Sequence, residues 1–248
     1  MSVRKLFARK PEPLPDTFTL DIGGEEIPVR VTRNARAKRY LLRIPADSRG
    51  PVLTVPQNGT FETALEFAER HRGWLAEKLK QRPETTGLRE GASIPLRGVE
   101  HTIVRTGRLR GLVEVTDGGE NPEIRVPGAE EHLARKLTDW LKREARADLE
   151  TAVDRHAQNI PKKPSGITVR DTTSRWGSCA SNGRLSFSWR LVLAPADILD
   201  YVAAHEVAHL IEMNHGPRFW ALCRRLAPHT DEARRWLKHN GSRLHHIG

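Results

Sequence analysis

The most constraining stretch of this 248-residue chain is His205-Glu206-Val207-Ala208-His209, followed six residues later by His215. Two histidines four apart on a helix are separated by about 400° of rotation, so they share one face and their imidazoles converge on a single point. Were the helix to run on, His215 would lie about 9 Å further along the axis and about 240° around it from His209. A third convergent histidine therefore requires the chain to leave the helix after His209 and double back. Asn214 tolerates left-handed backbone, and Gly216-Pro217 fits a break followed by a residue suited to a first helical turn. The pattern predicts a helix from about Ala196 to Leu210, a bend, and a new helix from Pro217.

Imidazole nitrogens that meet at one point are a metal site. Three protein ligands leave a fourth position for water, the arrangement of a catalytic rather than a structural Zn2+ site. Glu206 lies beside the pair, where it reaches such a water without binding the ion, as a general base must. For the third ligand His215 has two competitors: Glu212, one turn beyond His209, and Glu232 downstream.

The rest of the chain alternates between β-rich and helical stretches. Phe18 to Ile22 alternates, Gly23-Gly24 turns, and Ile27 to Val31 resumes the period. Tyr40, Leu42 and Ile44 line another strand and Val52 to Val55 a short one, which suggests a small antiparallel sheet. Phe61, Ala64, Leu65, Ala68, Leu75 and Leu79 stripe a helix that ends before Pro83, and Glu84 to Gly91 reads as a linker. A second β segment (Ile94 to Val104, Leu112 to Val115, a Gly118-Gly119 turn, Ile124 to Val126) precedes a helix from Ala129 to about Gln158. Asn182-Gly183 marks a hairpin, and Arg184 to Leu193 reads as a strand leading into the histidine helix. Phe219 and Trp220 are expected in the core. His229, His239, His245 and His246 are expected on a frayed, solvated C-terminus.

Composition excludes several classes. Cys179 and Cys223 form neither a disulfide framework nor a cysteine zinc site, which favours a reducing compartment. No apolar run of about 18 residues spans a membrane, and the opening residues, interrupted by charge and proline, lack the core of a secretory signal, so a cytoplasmic protein is expected. The net charge is +10, distributed as +5 over residues 1–90, −1 over 91–159 and +6 over 160–248. Its densest run is Arg30, Arg33, Arg36, Lys38, Arg39 and Arg43, with no acid among them, a surface suited to nucleic acid or another polyanion.

Arg175-Trp176-Gly177-Ser178-Cys179, the stretch Arg184 to Leu193, Ala194-Pro195, Tyr201-Val202 and the histidine segment through Phe219-Trp220 together resemble the YgjP-like metallopeptidase family, related to the SprT-like zinc peptidases. Asn34-Ala-Arg-Ala-Lys-Arg-Tyr40, Leu53-Thr-Val-Pro56 and the Phe67/Trp74 helix resemble its N-terminal half. The histidine spacing also suits metzincins, but their glycine at the position of Glu212 is missing. The resemblance implies a zincin-like region with His205, His209 and His215 as ligands and Glu206 as base; a nucleotide diphosphatase activity has been attributed to some members.

The expected fold is α+β, a β-rich N-terminal region followed by a zincin-like (minigluzincin-like) metallopeptidase domain, divided as residues 1–90 and 91–248. The expected activity is zinc-dependent cleavage of peptide bonds, with Arg175 and Trp176 as candidate substrate contacts and the stretch Arg184 to Leu193 pairing with an extended peptide. Two alternatives use the same residues differently. A zinc hydrolase of nucleotides would bind phosphates through Arg175, Arg184 or Arg218, and a nucleic-acid-binding protein would carry the metal site as an accessory.

Overall fold

The computed structural model describes residues 13–45, 50–80, 86–116, 121–172 and 175–248. The Gly118-Gly119 turn, the start of the N-terminal leader and the start of the expected linker lie outside them. The protein is mixed α/β, with six α-helices among the described residues, and divides into two compact units, Met1–Arg82 and Pro83–Gly248.

In the first unit β1 (Thr17–Ile22), β2 (Glu25–Asn34), β3 (Leu41–Arg43) and β4 (Val52–Pro56) form a sheet in the order β1-β2-β4-β3. The hairpin turns on Gly23 and Gly24 at φ of +66° and +90°, values glycine reaches without strain. The sheet is mixed rather than antiparallel. Because β3 pairs on the far side of β4, β4 returns beside β2 in the same direction, with Val31 opposite Leu53. One face sends Leu20, Val29, Val31, Leu42, Leu53 and Val55 into a core closed by Ala64, Ala68 and Leu75. Those last residues come from two helices, α1 (Phe61–Arg70) and α2 (Arg72–Lys80), where the stripe had predicted one. The break is His71: its backbone leaves the helical region at φ −102°, ψ 10°, while its ring stacks on Phe67 and its Nδ1 meets the Phe67 carbonyl at 2.7 Å.

The second unit opens with β5 (Ser93–Leu96), β6 (Val99–Arg105), β7 (Glu114–Thr116) and β8 (Glu123–Val126), ordered β5-β6-β8-β7. A short 3-10 turn leads into α3 (Leu133–Ala157), whose stripe of Leu133, Leu137, Leu141, Ala145 and Leu149 is fully buried. A third sheet follows, from β9 (Gly166–Arg170), β10 (Gly177–Cys179) and β11 (Arg184–Ser188), in the order β10-β11-β9. Then come α4 (Ala196–Ala208), α5 (Pro217–Leu226) and α6 (Thr230–His245).

Three expectations change here. The stretch Arg184 to Leu193 is a strand only to Ser188; Trp189–Leu193 is a 3-10 turn, begun where the Ser188 hydroxyl accepts from the Arg190 N–H. All five turn residues, the charged Arg190 among them, are buried, and uniform burial leaves no alternation by which a strand could be told from a helical turn. β11 is also the central strand, so it has no free edge; the edge beside α4 belongs to β10. Finally, the C-terminus is anchored. Leu244 and Ile247 are buried, and the Thr86 N–H donates to the His246 carbonyl at 2.9 Å. Leu88, within the expected linker, belongs to the core of this unit.

Candidate metal centre

α4 is apolar on nearly every side, with Ile198, Leu199, Val202, Ala203, Val207 and Ala208 buried. An all-round apolar helix runs through the interior, not across a surface. The polar groups it carries at its C-terminal end, His205, Glu206 and His209, are therefore held in low-dielectric surroundings. His209 stands at the helix end, its N–H still bonded to the His205 carbonyl at 3.2 Å. The chain then turns tightly, with the Leu210, Ile211 and Glu212 N–H groups donating back to Val207 and Ala208, and α5 starts on an extended Gly216 with Pro217 in its first turn. The reversal is the expected one, but Asn214 is not left-handed: among the described residues only Arg97 and certain glycines have positive φ. Helical turn bonds and the extended Gly216 suffice to redirect the chain.

This path brings His215 back to the helix. One nitrogen of each of His205, His209 and His215 lies within 4.8 Å of the other two, and the Nε2 atoms of His205 and His215 are 3.1 Å apart. The Nδ1 atoms of the two helical histidines are engaged elsewhere: that of His205 with the Tyr201 hydroxyl at 3.2 Å, that of His209 with the Glu212 carbonyl at 3.0 Å. Such bonds orient the rings and leave Nε2 as the free donor. Glu212 thus contributes its backbone, and neither its carboxylate nor that of Glu232 joins the cluster among the described residues. Phe219, fully buried on α5, stacks on the His209 ring at 4.5 Å and lies edge-on to the other two. Trp220 is half-buried, 5.6 Å from His215.

Burial, and then the neighbouring imidazoles, lower the His205 pKa to about 3; burial likewise lowers that of His209. Both are thus neutral, the form that binds metal. Glu206 is 4% exposed, and its Oε2 has no hydrogen-bond partner among the described residues. Burial pushes its pKa up to about 8, against a downward pull from Arg175. A desolvated carboxylate left without a partner is costly unless a cation or its water completes it. Three convergent imidazoles beside a buried carboxyl group suit a divalent metal ion.

The neighbouring edge strand explains the glycine of Arg175-Trp176-Gly177. A Cβ on Gly177 would lie 2.5 Å from Glu206 Oε1, so only glycine lets β10 approach the carboxylate this closely. Trp176, half-buried, stacks on His245 at 4.2 Å and lies against Gly241. Arg175 is exposed. Arg184 and Arg218 are exposed too, and no described contact ties either to the histidines. Gly177, Tyr201 and His245 escape the sequence reading as parts of the site. The helix period could have revealed Tyr201, one turn before His205, and a glycine inside a short strand signals close backbone approach; nothing local marks His245.

None of the curated proteins or solved structures compared with the chain matches it. A family model described as YgjP-like, metallopeptidase domain matches residues 38–240. With that match spanning most of its length, and with a histidine cluster able to hold a metal ion, the chain belongs to the YgjP-like metallopeptidase family.

Proposed function

We propose that the chain is a zinc metallopeptidase in which His205, His209 and His215 hold the ion and Glu206 is the general base. The observation that carries this reading is the convergence of three imidazole nitrogens within 4.8 Å beside a buried carboxylate oxygen that has no partner among the described residues. The chemistry expected of zinc on such a donor set is Lewis acidity toward a carbonyl and toward a water, whose pKa falls to about 7. Glu206 Oε2 takes the proton of the attacking water and returns it to the leaving amine nitrogen. Tyr201 and the Glu212 carbonyl keep the two helical imidazoles in the ligating orientation.

β10 offers the peptide-binding edge. Trp176 and Ala180 make the bonds to β11, so the alternation of an antiparallel pair turns the N–H and C=O groups of Gly177 and Cys179 outward. An extended peptide paired there lies alongside Glu206. Arg175 is a cationic contact at the start of this edge, and Trp176 holds the edge in place through its stack on His245. Both cysteines are free, which fits a reducing, cytoplasmic setting.

The test compares the wild type with Glu206→Gln by metal analysis and by hydrolysis of a peptide library, with nucleotides as a parallel arm. One zinc per chain in both proteins, and a kcat lowered about 10²- to 10⁴-fold in the variant, are expected. Peptides methylated at backbone nitrogens should bind more weakly. Zinc-free protein, peptidase activity indifferent to the substitution, or hydrolysis of nucleotides alone would refute the reading.

A further inference from the structure

The basic run of the first unit resolves into two parts with different fates. Arg33 turns inward, and its guanidinium donates to the carbonyls of Pro56, Gln57 and Gly59 at 3.2, 2.7 and 3.0 Å. Arg36, Lys38, Arg39 and Arg43 are all exposed and surround a hollow of about 440 Å³. Its floor is Thr54 and its wall Leu41, which face each other across β3 and β4, and no acidic residue lines it. None of the four cations has an ion-pair partner among the described residues.

The segment bearing these cations is held at both ends. The Arg36 N–H donates to Asn34 Oδ1 at 2.9 Å and the Ala37 N–H to the Asn34 carbonyl at 3.1 Å. At the other end the Tyr40 hydroxyl accepts from the Thr60 N–H at 2.9 Å, and its ring stacks on Phe67. Like charges gathered on one loop repel one another, and a bound polyanion relieves that repulsion.

The chemistry of that anion is narrowed by what the hollow lacks. Arginine forks match phosphate oxygens in particular, and three of the four cations are arginine. The Arg36 and Ala37 N–H groups are already bonded to Asn34, so neither is left to grip a single small phosphate. With Leu41 as its one large apolar lining residue and a concave shape, the site presents no wedge to a lipid surface. No aromatic residue is among those that line the hollow, and the neighbouring Tyr40 is stacked on Phe67, so among the described residues the hollow offers no aromatic platform for stacking bases. Several exposed cations around an open hollow with no acidic or aromatic lining residue suit binding to a repeating charged polymer.

We propose that this hollow is a sequence-independent binding site for the sugar-phosphate backbone of nucleic acid, in which Arg36, Lys38, Arg39 and Arg43 contact the phosphates. It is independent of the metal centre and stands whether or not the chain is a peptidase.

The test is fluorescence anisotropy of a labelled 20-base-pair duplex with the full chain, titrated over salt. Replacing all four residues with alanine should weaken binding at least tenfold at low salt and reduce the slope of log affinity against log salt by about 3 to 4, roughly 0.9 for each phosphate no longer neutralised. Arg36→Ala/Arg39→Ala should lose about half of that slope, and a scrambled duplex should bind equally. A control variant, Arg108→Ala/Arg110→Ala/Arg135→Ala/Arg143→Ala, removes the same charge from exposed sites elsewhere and should keep the slope. Equal losses in the two fourfold variants would overturn the proposal. So would capture of phosphatidylserine vesicles without duplex binding, or complete competition by inorganic triphosphate at equimolar phosphate.

Discussion

At the scale of single residues, Gly177 shows how a small side chain sets the chemistry of a larger one. It makes no bond to Glu206, yet its missing Cβ lets the β10 backbone lie against that carboxylate. Gly177→Ala would place a methyl group 2.5 Å from Glu206 Oε1, and since Glu206 is buried, the carboxyl has little room to yield. The expected result is a kcat lower by about 100-fold from a displacement of an ångström or so, with zinc content unchanged because the histidines are untouched. Steady-state kinetics with metal analysis check this; unaltered kcat would mean that the carboxylate works elsewhere. Phe219 packs its ring against all three imidazoles, adding to the Tyr201 and Glu212 contacts that orient the two helical ones.

At the scale of elements, α4 must be held in place if its histidines are to meet His215. Asp200, just over one turn before His205, does much of this. Its Oδ1 accepts from His156 Nε2 of α3 at 2.6 Å and pairs with Arg155, while Oδ2 is 3.5 Å from His229, just ahead of α6. Burial alone would raise the Asp200 pKa, but the hydrogen bond and charge of His156, with Arg155, outweigh it and hold the carboxyl below its usual range. A carboxyl depressed in the folded state contributes stability above its unfolded pKa, about 3.9, and loses that contribution as the pH falls through the folded value. Asp200→Asn should therefore be less stable than the wild type by about 1 to 3 kcal/mol at pH 7, with the gap closing at acid pH. Urea unfolding at pH 7 and pH 3 measures it, and a gap that does not change with pH would exclude this role for the ion pair. The anchored C-terminus matters in the same way, since the Trp176–His245 stack ties α6 to the edge strand beside Glu206.

At the scale of the whole molecule, the two units have separate hydrophobic cores with no residue in common. The three histidines, Glu206, β10 and the His156–Asp200 pair all lie in the second. A chain beginning at Pro83 is expected to unfold cooperatively and to bind one zinc, whereas it should lose the salt-dependent nucleic-acid binding that resides in the first unit. Thermal unfolding by circular dichroism, metal analysis and the duplex titration test these together; loss of zinc in a folded fragment would show that the first unit completes the centre. Among the described residues no helix is long and apolar enough to cross a membrane.

Features with a local cause are legible in the chain alone. Histidines four apart share a helix face because of the helical period, Gly216-Pro217 begins a new helix, and the stripe from Leu133 to Leu149 defines α3. Legibility ends where the deciding neighbour is remote in the chain. That β2 and β4 are parallel depends on which side of β4 the third strand takes; that Trp189–Leu193 is a turn depends on burial on all sides. It took the packed molecule to make β11 central and β10 the edge, to set His245 against Trp176, and to bring Gly177 onto Glu206. Spacing along a chain encodes angles about one element's axis. Contacts between elements arise from the packing of surfaces far apart in sequence, and no local pattern carries that information.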